Sequence, residues 1–299
     1  MTGDAQHKLP DFIGVGPPRT GTTWLDRLLR ERCCLPARVK ETQFFIWRYE
    51  FGIEWYAEHF RACAPGMKAG EFSPLYFPSA AARERIFSHI PRCRIICTLR
   101  DPVERFYSHY RLWRRVGSVK APFEQVAATH EGLLAFTQYA SNVRAWRERF
   151  GMENVLVAIY EDSKSDRQAY IDRVCDFIGI ARIDLAGISW EAERVQPADL
   201  IPRSRRLAFR AIRVQAFLMR RRLYRVVNAC MPLFDFCMSG GGSFPPLEPE
   251  VEASLRRRFL PEVERVEELL GRELPAWRRE PGGATTSEPA QDARPRQTG

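Results

Sequence analysis

The chain has 299 residues, 45% of them hydrophobic, and a formal charge of +9 at pH 7. That is enough apolar material for one domain of sizeable core, while no uninterrupted run approaches the ~20 apolar residues that span a bilayer. The positive charge favours anionic partners such as nucleotides, sulfated or phosphorylated acceptors, nucleic acid or acidic lipid, and does not choose among them.

Residues 1–10 read as a polar N-terminal extension without a targeting segment. The first structured element is Phe12-Ile13-Gly14-Val15-Gly16, an apolar run that predicts a buried strand. The glycine-bounded loop Pro17–Thr23 follows, and apolar residues at 24, 25, 28 and 29 then keep a helical period. Strand, loop and helix in that order open a nucleotide-binding α/β domain. Between 44 and 60 lies an aromatic-rich stretch that fits either core packing or acceptor binding. A weak strand signal spans 67–72 and a helical one 80–87.

Arg94–Leu99 is the clearest central strand, and a helix start follows it at once. Asp101 suits the cap, Pro102 the first helical position, and Glu104 the third. A helix over 141–150, a strand over 154–160, a polar turn at 161–166 and a helix through 177 complete the alternation. The predicted fold class is therefore α/β, with a P-loop-type central parallel sheet flanked by helices on both faces. Ligands of such sheets lie at the carboxyl ends of the strands, where both the 16–23 loop and Arg100 fall.

Residues 203–225 hold nine arginines and no acid, as many charges as the chain's whole net excess. Apolar residues at 208, 212, 216, 219, 223 and 227 mark one helical face of this 203–229 segment. Ser239–Ser243 reads as a flexible loop, 249–270 as a long helix stopped by Gly271, and 281–299 as a disordered tail, so the domain proper is 11–280. The eight cysteines show neither CxxC nor metal spacing, and a chain of this size needs no disulfide staple. Free cysteines and a reducing, cytoplasmic setting are the expectation.

The loop Gly16–Trp24, GPPRTGTTW, has the features of an anion cradle: close backbone N–H groups running into a helix N-terminus. The ATP and GTP loop requires GxxxxGK followed by Ser or Thr, and here Thr22 stands at the lysine position. The second element is RDPVERFYSHY, in which Arg100 leaves a strand end and Ser108 lies one helix segment on. Taken alone, Arg100 suits a phosphate ligand or a surface pair with Asp101 or Glu104 equally.

PPRTGTTWL resembles the 5'-phosphosulfate loop of PAPS-dependent sulfotransferases, and Arg100 with Ser108 is similar to their 3'-phosphate motif. KETQFF at 40–45 and GEFSPLY at 70–76 resemble blocks of the carbohydrate class, which includes the heparan sulfate N- and O-sulfotransferases. LGRELPAW at 270–277 resembles the terminal block of bacterial members. The resemblance implies a donor site made of Pro18, Arg19, Thr20, Gly21, Thr22, Thr23, Trp24, Arg100 and Ser108. It implies Glu41 as acceptor base and Arg19 as stabiliser of the leaving phosphate. PAPS is then the donor and PAP the product, with no metal required. Gln43 replaces the family's usual histidine, Phe72 replaces a lysine, and 239–243 lacks the late basic residues. His109 is a rival base, being the only histidine inside a motif, while its neighbours Tyr107 and Tyr110 and its place in the 3'-phosphate helix suggest a structural or nucleotide-facing role instead.

The acceptor is left open as a small molecule, a glycan or a lipid-linked compound, with hydroxyl or amine attack. Two other classes stay in view. One is a P-loop nucleotide kinase or other phosphotransferase, against which the displaced lysine argues. The other is a non-catalytic anion-binding protein using 203–225 on nucleic acid or a membrane surface. Nucleic acid is not expected, for want of a recognisable motif, and peripheral membrane contact through 203–225 is compatible with the pattern. Oligomeric state is not encoded in any visible pattern.

Overall fold

A computed structural model describes residues 8–186, 188, 200–221, 223–238 and 240–280. Its centre is a parallel sheet of β1 (Phe12–Gly16), β2 (Gly70–Phe72), β3 (Arg94–Leu99) and β4 (Val155–Ile159), in the order β2-β1-β3-β4. Parallel neighbours need crossover connections, and the chain supplies helices for each. They are α1 (Thr22–Leu29), α2 (Ile53–Ala57) and α3 (Ala80–His89), then α4 (Pro102–Arg115), α5 (Phe123–Thr129), α6 (Glu131–Leu134) and α7 (Tyr139–Phe150). After β4 come α8 (Asp162–Ser165) and α9 (Arg167–Ile178), then α10 (Arg205–Arg220), α11 (Tyr224–Ala229), α12 (Met231–Cys237) and α13 (Pro249–Leu270). The predicted α/β class and its helix-flanked parallel sheet are what the structure has.

Strand alternation divides the core. Ile95, Cys97 and Leu99 of β3 face a cluster that includes Trp146 of α7 and Val263 of α13, and the aromatic stretch adds Phe44, Phe45, Tyr56 and Phe60 to it. Ile96 points the other way, toward Leu25 and Leu28 of α1 and Ile171 and Val174 of α9. Packing therefore accounts for most of the 44–60 aromatics, although Trp47 remains 61% exposed.

Three expectations are corrected. The SGGGS segment is not a free loop: Gly240–Ser243 forms β6, antiparallel to β5 (Leu200–Pro202). Glycine permits this pairing, because a Cβ on Gly241 would stand 2.6 Å from the Pro202 carbonyl oxygen. The cysteines are not all free, since Cys34 and Cys63 form a disulfide. Cys34 is fastened beside β2 through a bridge to Ala69, and the 29-residue separation between the partners carries no motif. Disulfides persist mainly in oxidising compartments, so this pair does not support the reducing setting expected from the sequence. Finally, the turn after β4 contains the short helix α8. The tail 281–299 and most of the 1–10 extension lie outside the described residues.

The Trp146 side chain is fully buried and its indole N–H donates to the Phe77 carbonyl at 2.9 Å. Trp146→Ala should therefore lower the unfolding free energy by about 3–5 kcal/mol, measured by urea denaturation. A loss under 1 kcal/mol, on the order of a surface substitution, would show that α7 does not clamp this core.

Candidate functional site

β1 and β3 are neighbours in register, Ile13 beside Ile95, so the segments leaving their carboxyl ends share one edge of the sheet. After β1 the chain turns through Pro17–Gly21 and enters α1, whose N-cap is Gly21 with φ +84. No side chain caps this helix. Its first N–H groups and its positive dipole end thus form an anion site. A side chain at 21 would be strained at that φ, and its Cβ would come 2.9 Å from the Tyr160 ring.

The predicted cradle residues divide into two roles. Thr20 is fully buried, with its hydroxyl 2.7 Å from the Pro17 carbonyl and 2.5 Å from the Thr98 hydroxyl. Its side chain fastens the loop to β3. Trp24 packs near Tyr170, ring centroids 5.9 Å apart, and braces the start of α1, while Pro18 is half-buried in the loop. Thr22 and Thr23 meet Lys40, the residue just before Glu41. Lys40 Nζ donates to Thr23 Oγ1 at 2.8 Å and to Thr22 Oγ1 at 3.5 Å. The cation absent from the loop's lysine position thus arrives from another segment. Only its place two residues beyond a chain turn, in a block resembling a family motif, could have signalled it.

Arg19 joins the two phosphate motifs. Its Nε donates to Ser108 Oγ at 2.9 Å across 89 residues of sequence. Its carbonyl accepts from Arg100 Nη1 at 3.4 Å. The backbone at Arg19 is left-handed, φ +73, a conformation that costs a residue bearing a Cβ about 1–2 kcal/mol and is retained where surrounding structure demands it. Arg100 lies over the Tyr160 ring at 5.1 Å and pairs with Glu104 at 3.3 Å, so the surface-pair reading was correct for Glu104 and incomplete. Glu104 also binds Arg279.

α4 is held for this task at its first turn. Asp101 caps it, accepting from the Val103 N–H at 2.8 Å and the Glu104 N–H at 3.2 Å. The Asp101 N–H is bound by Glu161 Oε1 at 3.1 Å, which takes the part expected of Glu104 in a capping box. Glu161 Oε2 in turn accepts from the Trp277 indole at 2.9 Å, so the terminal LGRELPAW block steadies the Arg100 turn. Arg256 of α13 ties to Asp101 at 3.2 Å.

Glu41 stands between two partners. Its Oε1 is 3.3 Å from Lys40 Nζ, and its Oε2 accepts from Gln43 Nε2 at 2.7 Å. Gln43 is 5% exposed and its other amide atom, Oε1, has no hydrogen-bond partner. Behind them lies Glu71 of β2, fully buried. Its carboxylate accepts from Thr42 Oγ1 at 2.5 Å, Tyr56 OH at 2.9 Å, Ser73 Oγ at 3.1 Å and Tyr76 OH at 3.2 Å. Burial pushes the Glu71 carboxyl above the ordinary carboxylate range, while these donors oppose the shift. An acid in the middle of an otherwise apolar strand was the available signal for this residue. Phe72, at the family's lysine position, is fully buried against Phe12 and presents no cation to a ligand.

His109 is placed in the core rather than open to an acceptor. It is 1% exposed and enclosed by Trp113 and Phe136, with Nδ1 3.2 Å from the Arg105 guanidinium. Burial, then Arg105 and Arg19, hold its pKa well below the usual 6.5. A cavity of about 570 Å³ lies on the adjoining face of α4, lined by Tyr107, Tyr110, Phe123, Ile201 and Phe244 among others. Its lining includes none of the loop residues. Among the described residues no group of three or more His, Cys, Asp or Glu could hold a metal ion.

Comparison with known proteins gives a consistent family. A model described as a sulfotransferase domain matches residues 9–196. The chain is 29% identical over 197 residues to bifunctional heparan sulfate N-deacetylase/N-sulfotransferase 4 of Mus musculus, covering 58% of this chain and 22% of that protein. It is 28% identical over 191 residues to heparan sulfate glucosamine 3-O-sulfotransferase 6 of Homo sapiens, covering 61% and 56%. It is 37% identical over 106 residues to membrane-associated sulfotransferase kil1 of Dictyostelium discoideum, covering 34% and 22%. The chain therefore spans from 22% to 56% of these relatives' own lengths. A solved sulfotransferase from Alicyclobacillus acidocaldarius has the same fold, with TM-score 0.64, 22% identity, and coverage of 91% of this chain and 100% of that one.

The depressed His109 pKa has a consequence for stability. The native state keeps the ring neutral, whereas the unfolded chain takes up a proton below about pH 6.5. Its contribution is full above that value and is lost as pH falls toward the folded pKa. Melting temperatures between about pH 7 and pH 5 should fall less steeply for His109→Phe than for the parent. Identical slopes would place the acid sensitivity elsewhere.

Proposed function

The chain belongs to the sulfotransferase domain family, and from that premise we propose that it transfers the sulfuryl group of PAPS to a hydroxyl or amine acceptor and releases PAP. The observation that carries this reading is the meeting of Arg19 with both Ser108 and Arg100. PAPS differs from ATP in its 3'-phosphate, and a site needs a second set of donors beside the loop to bind it. Arg100 and Ser108 supply that set. The uncapped start of α1, with Lys40, Thr22 and Thr23, suits the 5'-phosphosulfate. In the kinase reading the donors on α4 have no phosphate to hold.

The donor substrate brings its sulfur already activated, as a mixed anhydride with the 5'-phosphate. The acceptor oxygen or nitrogen bonds to sulfur as the bond from sulfur to the 5'-phosphate oxygen breaks, and the acceptor's proton passes to Glu41. Arg19, permanently protonated and fixed in direction, and Lys40 face the charge that grows on the leaving phosphate. Preformed donors of this kind stabilise the transition state more than the ground state. Lys40 is shared between Glu41 and the loop, and it holds the base beside the donor. Likeness to the heparan sulfate enzymes supports a glycan hydroxyl or amine as acceptor. The buried Phe72 and the neutral Gln43 leave fewer cations facing it than a strongly polyanionic glycan calls for.

Arg100→Ala should weaken PAP about 10- to 100-fold, the cost of a charge-assisted hydrogen-bond set. Adenosine 5'-phosphosulfate, which lacks the 3'-phosphate, should bind that variant as well as the parent in calorimetric titrations. Equal losses for both ligands would remove the 3'-phosphate assignment. Glu41→Gln should leave PAP affinity intact and lower kcat by about 100- to 10,000-fold with PAPS and a responsive glycan acceptor. Preserved turnover would place the base elsewhere.

A further inference from the structure

The arginine-rich segment is not absorbed by any of this chemistry. In α10 the residues turned toward the domain are Ala208, 2% exposed, and the half-buried Ile212 and Met219. The opposite face is open, and its composition is unusual. Arg206, Arg210, Arg213 and Arg221 are exposed on it. So are Leu207, Phe209, Val214 and Phe217, each 47–57% exposed. At about 100° per residue, positions 207, 210, 214, 217 and 221 fall on one side of the helix, so arginines and large apolar groups are interleaved along it. Guanidinium groups lie against the rings, Arg213 at 5.8 Å from Phe209 and Arg221 at 5.4 Å from Phe217. Farther on, Leu233 of α12 is 65% exposed and Phe236 53%.

We propose that the outer face of α10 docks the protein on the surface of an anionic phospholipid bilayer. The apolar side chains enter the boundary between headgroups and acyl chains, and the arginines meet lipid phosphates and acidic headgroups. Charge selects this occupant. Residues 203–225 carry nine arginines and no acid, so a second copy of the same face is repelled. A nucleic acid matches the charge, but the aliphatic Leu207 and Val214 gain nothing from a phosphate backbone. Contact is at the surface, since no helix of the described residues is long and apolar enough to cross a membrane. The docking unit is fastened to the helix that carries Ser108: Arg115 donates to the Met238 carbonyl at 3.0 Å, and Tyr107 to the Pro245 carbonyl at 2.6 Å. A bilayer bound through α10 therefore lies against the same scaffold as the α4 end of the site.

Flotation of the full chain with phosphatidylcholine vesicles, with and without phosphatidylserine, tests this. Binding to the anionic vesicles should be about tenfold or more stronger. Phe209→Asp combined with Phe217→Asp should reduce it about tenfold with the melting temperature unchanged, as both rings are exposed. If that pair lowers the melting temperature, Leu207→Gln with Val214→Gln is the replacement and should weaken flotation in the same direction. The proposal is overturned by equal binding to both vesicles, by binding that neither pair of substitutions weakens, by binding to an oligonucleotide in preference to vesicles, or by a dimer in light scattering that these substitutions dissociate. PAP titration of the same samples reads the donor site separately, so loss of PAP binding with flotation intact defeats only the sulfuryl-transfer reading.

Discussion

Parallel pairing of β1 with β3 is the constraint on which the site depends. With Ile13 beside Ile95, two chain segments far apart in sequence must leave the sheet at the same edge. The Thr20 hydroxyl then reaches Thr98, the Arg19 carbonyl reaches Arg100, and the Arg19 side chain reaches Ser108. None of these contacts is local. They bring two loops, far apart in sequence, onto one surface, the one proposed to hold the nucleotide donor. The left-handed backbone at Arg19 follows from that requirement, since the residue must offer its carbonyl and its side chain to different partners.

A second fixture sits one strand away. Among the described residues, the hydrogen-bond partners of the buried acid Glu71 are hydroxyls and the Thr42 amide rather than a cation. Such a network is costly if half-satisfied and rigid if complete. It grips Thr42, and Ser73 adds a bond to the Gln43 N–H at 3.4 Å. The backbone immediately after the base is thereby pinned to β2 and to the residue that follows that strand, and Glu41 itself remains 35% exposed. The candidate base is thus positioned by buried groups while keeping its own access to solvent and to an acceptor.

Charge is laid out in two distinct ways. Around the donor site, cations are few and held: Arg100 by Glu104, Arg105 in the core by Leu133 and Thr137 oxygens. These partners of Arg105 are neutral, so its charge adds to the positive potential at the start of α4. On α10 the arginines stand in solvent beside exposed rings. The first arrangement orients a small anion; the second suits an extended anionic surface.

The local sequence determined most of the scaffold. The apolar run within Arg94–Leu99, the Asp101-Pro102 helix start and the run from Pro249 to Gly271 are short-range signals, and the strand and helices formed where they pointed. The loop Gly16–Trp24 announced an anion site because glycine placement and a following helix are themselves local. Tertiary structure decided what no short window contains. It brought Lys40 to Thr23, enclosed Glu71 in hydroxyls, paired Cys34 with Cys63, and turned Gly240–Ser243 from part of an expected loop into half of a ribbon. The physical reason is that turn and helix preferences act over a few residues. Side-chain partnerships between strand ends depend instead on sheet order and register, which the packing of the whole core selects.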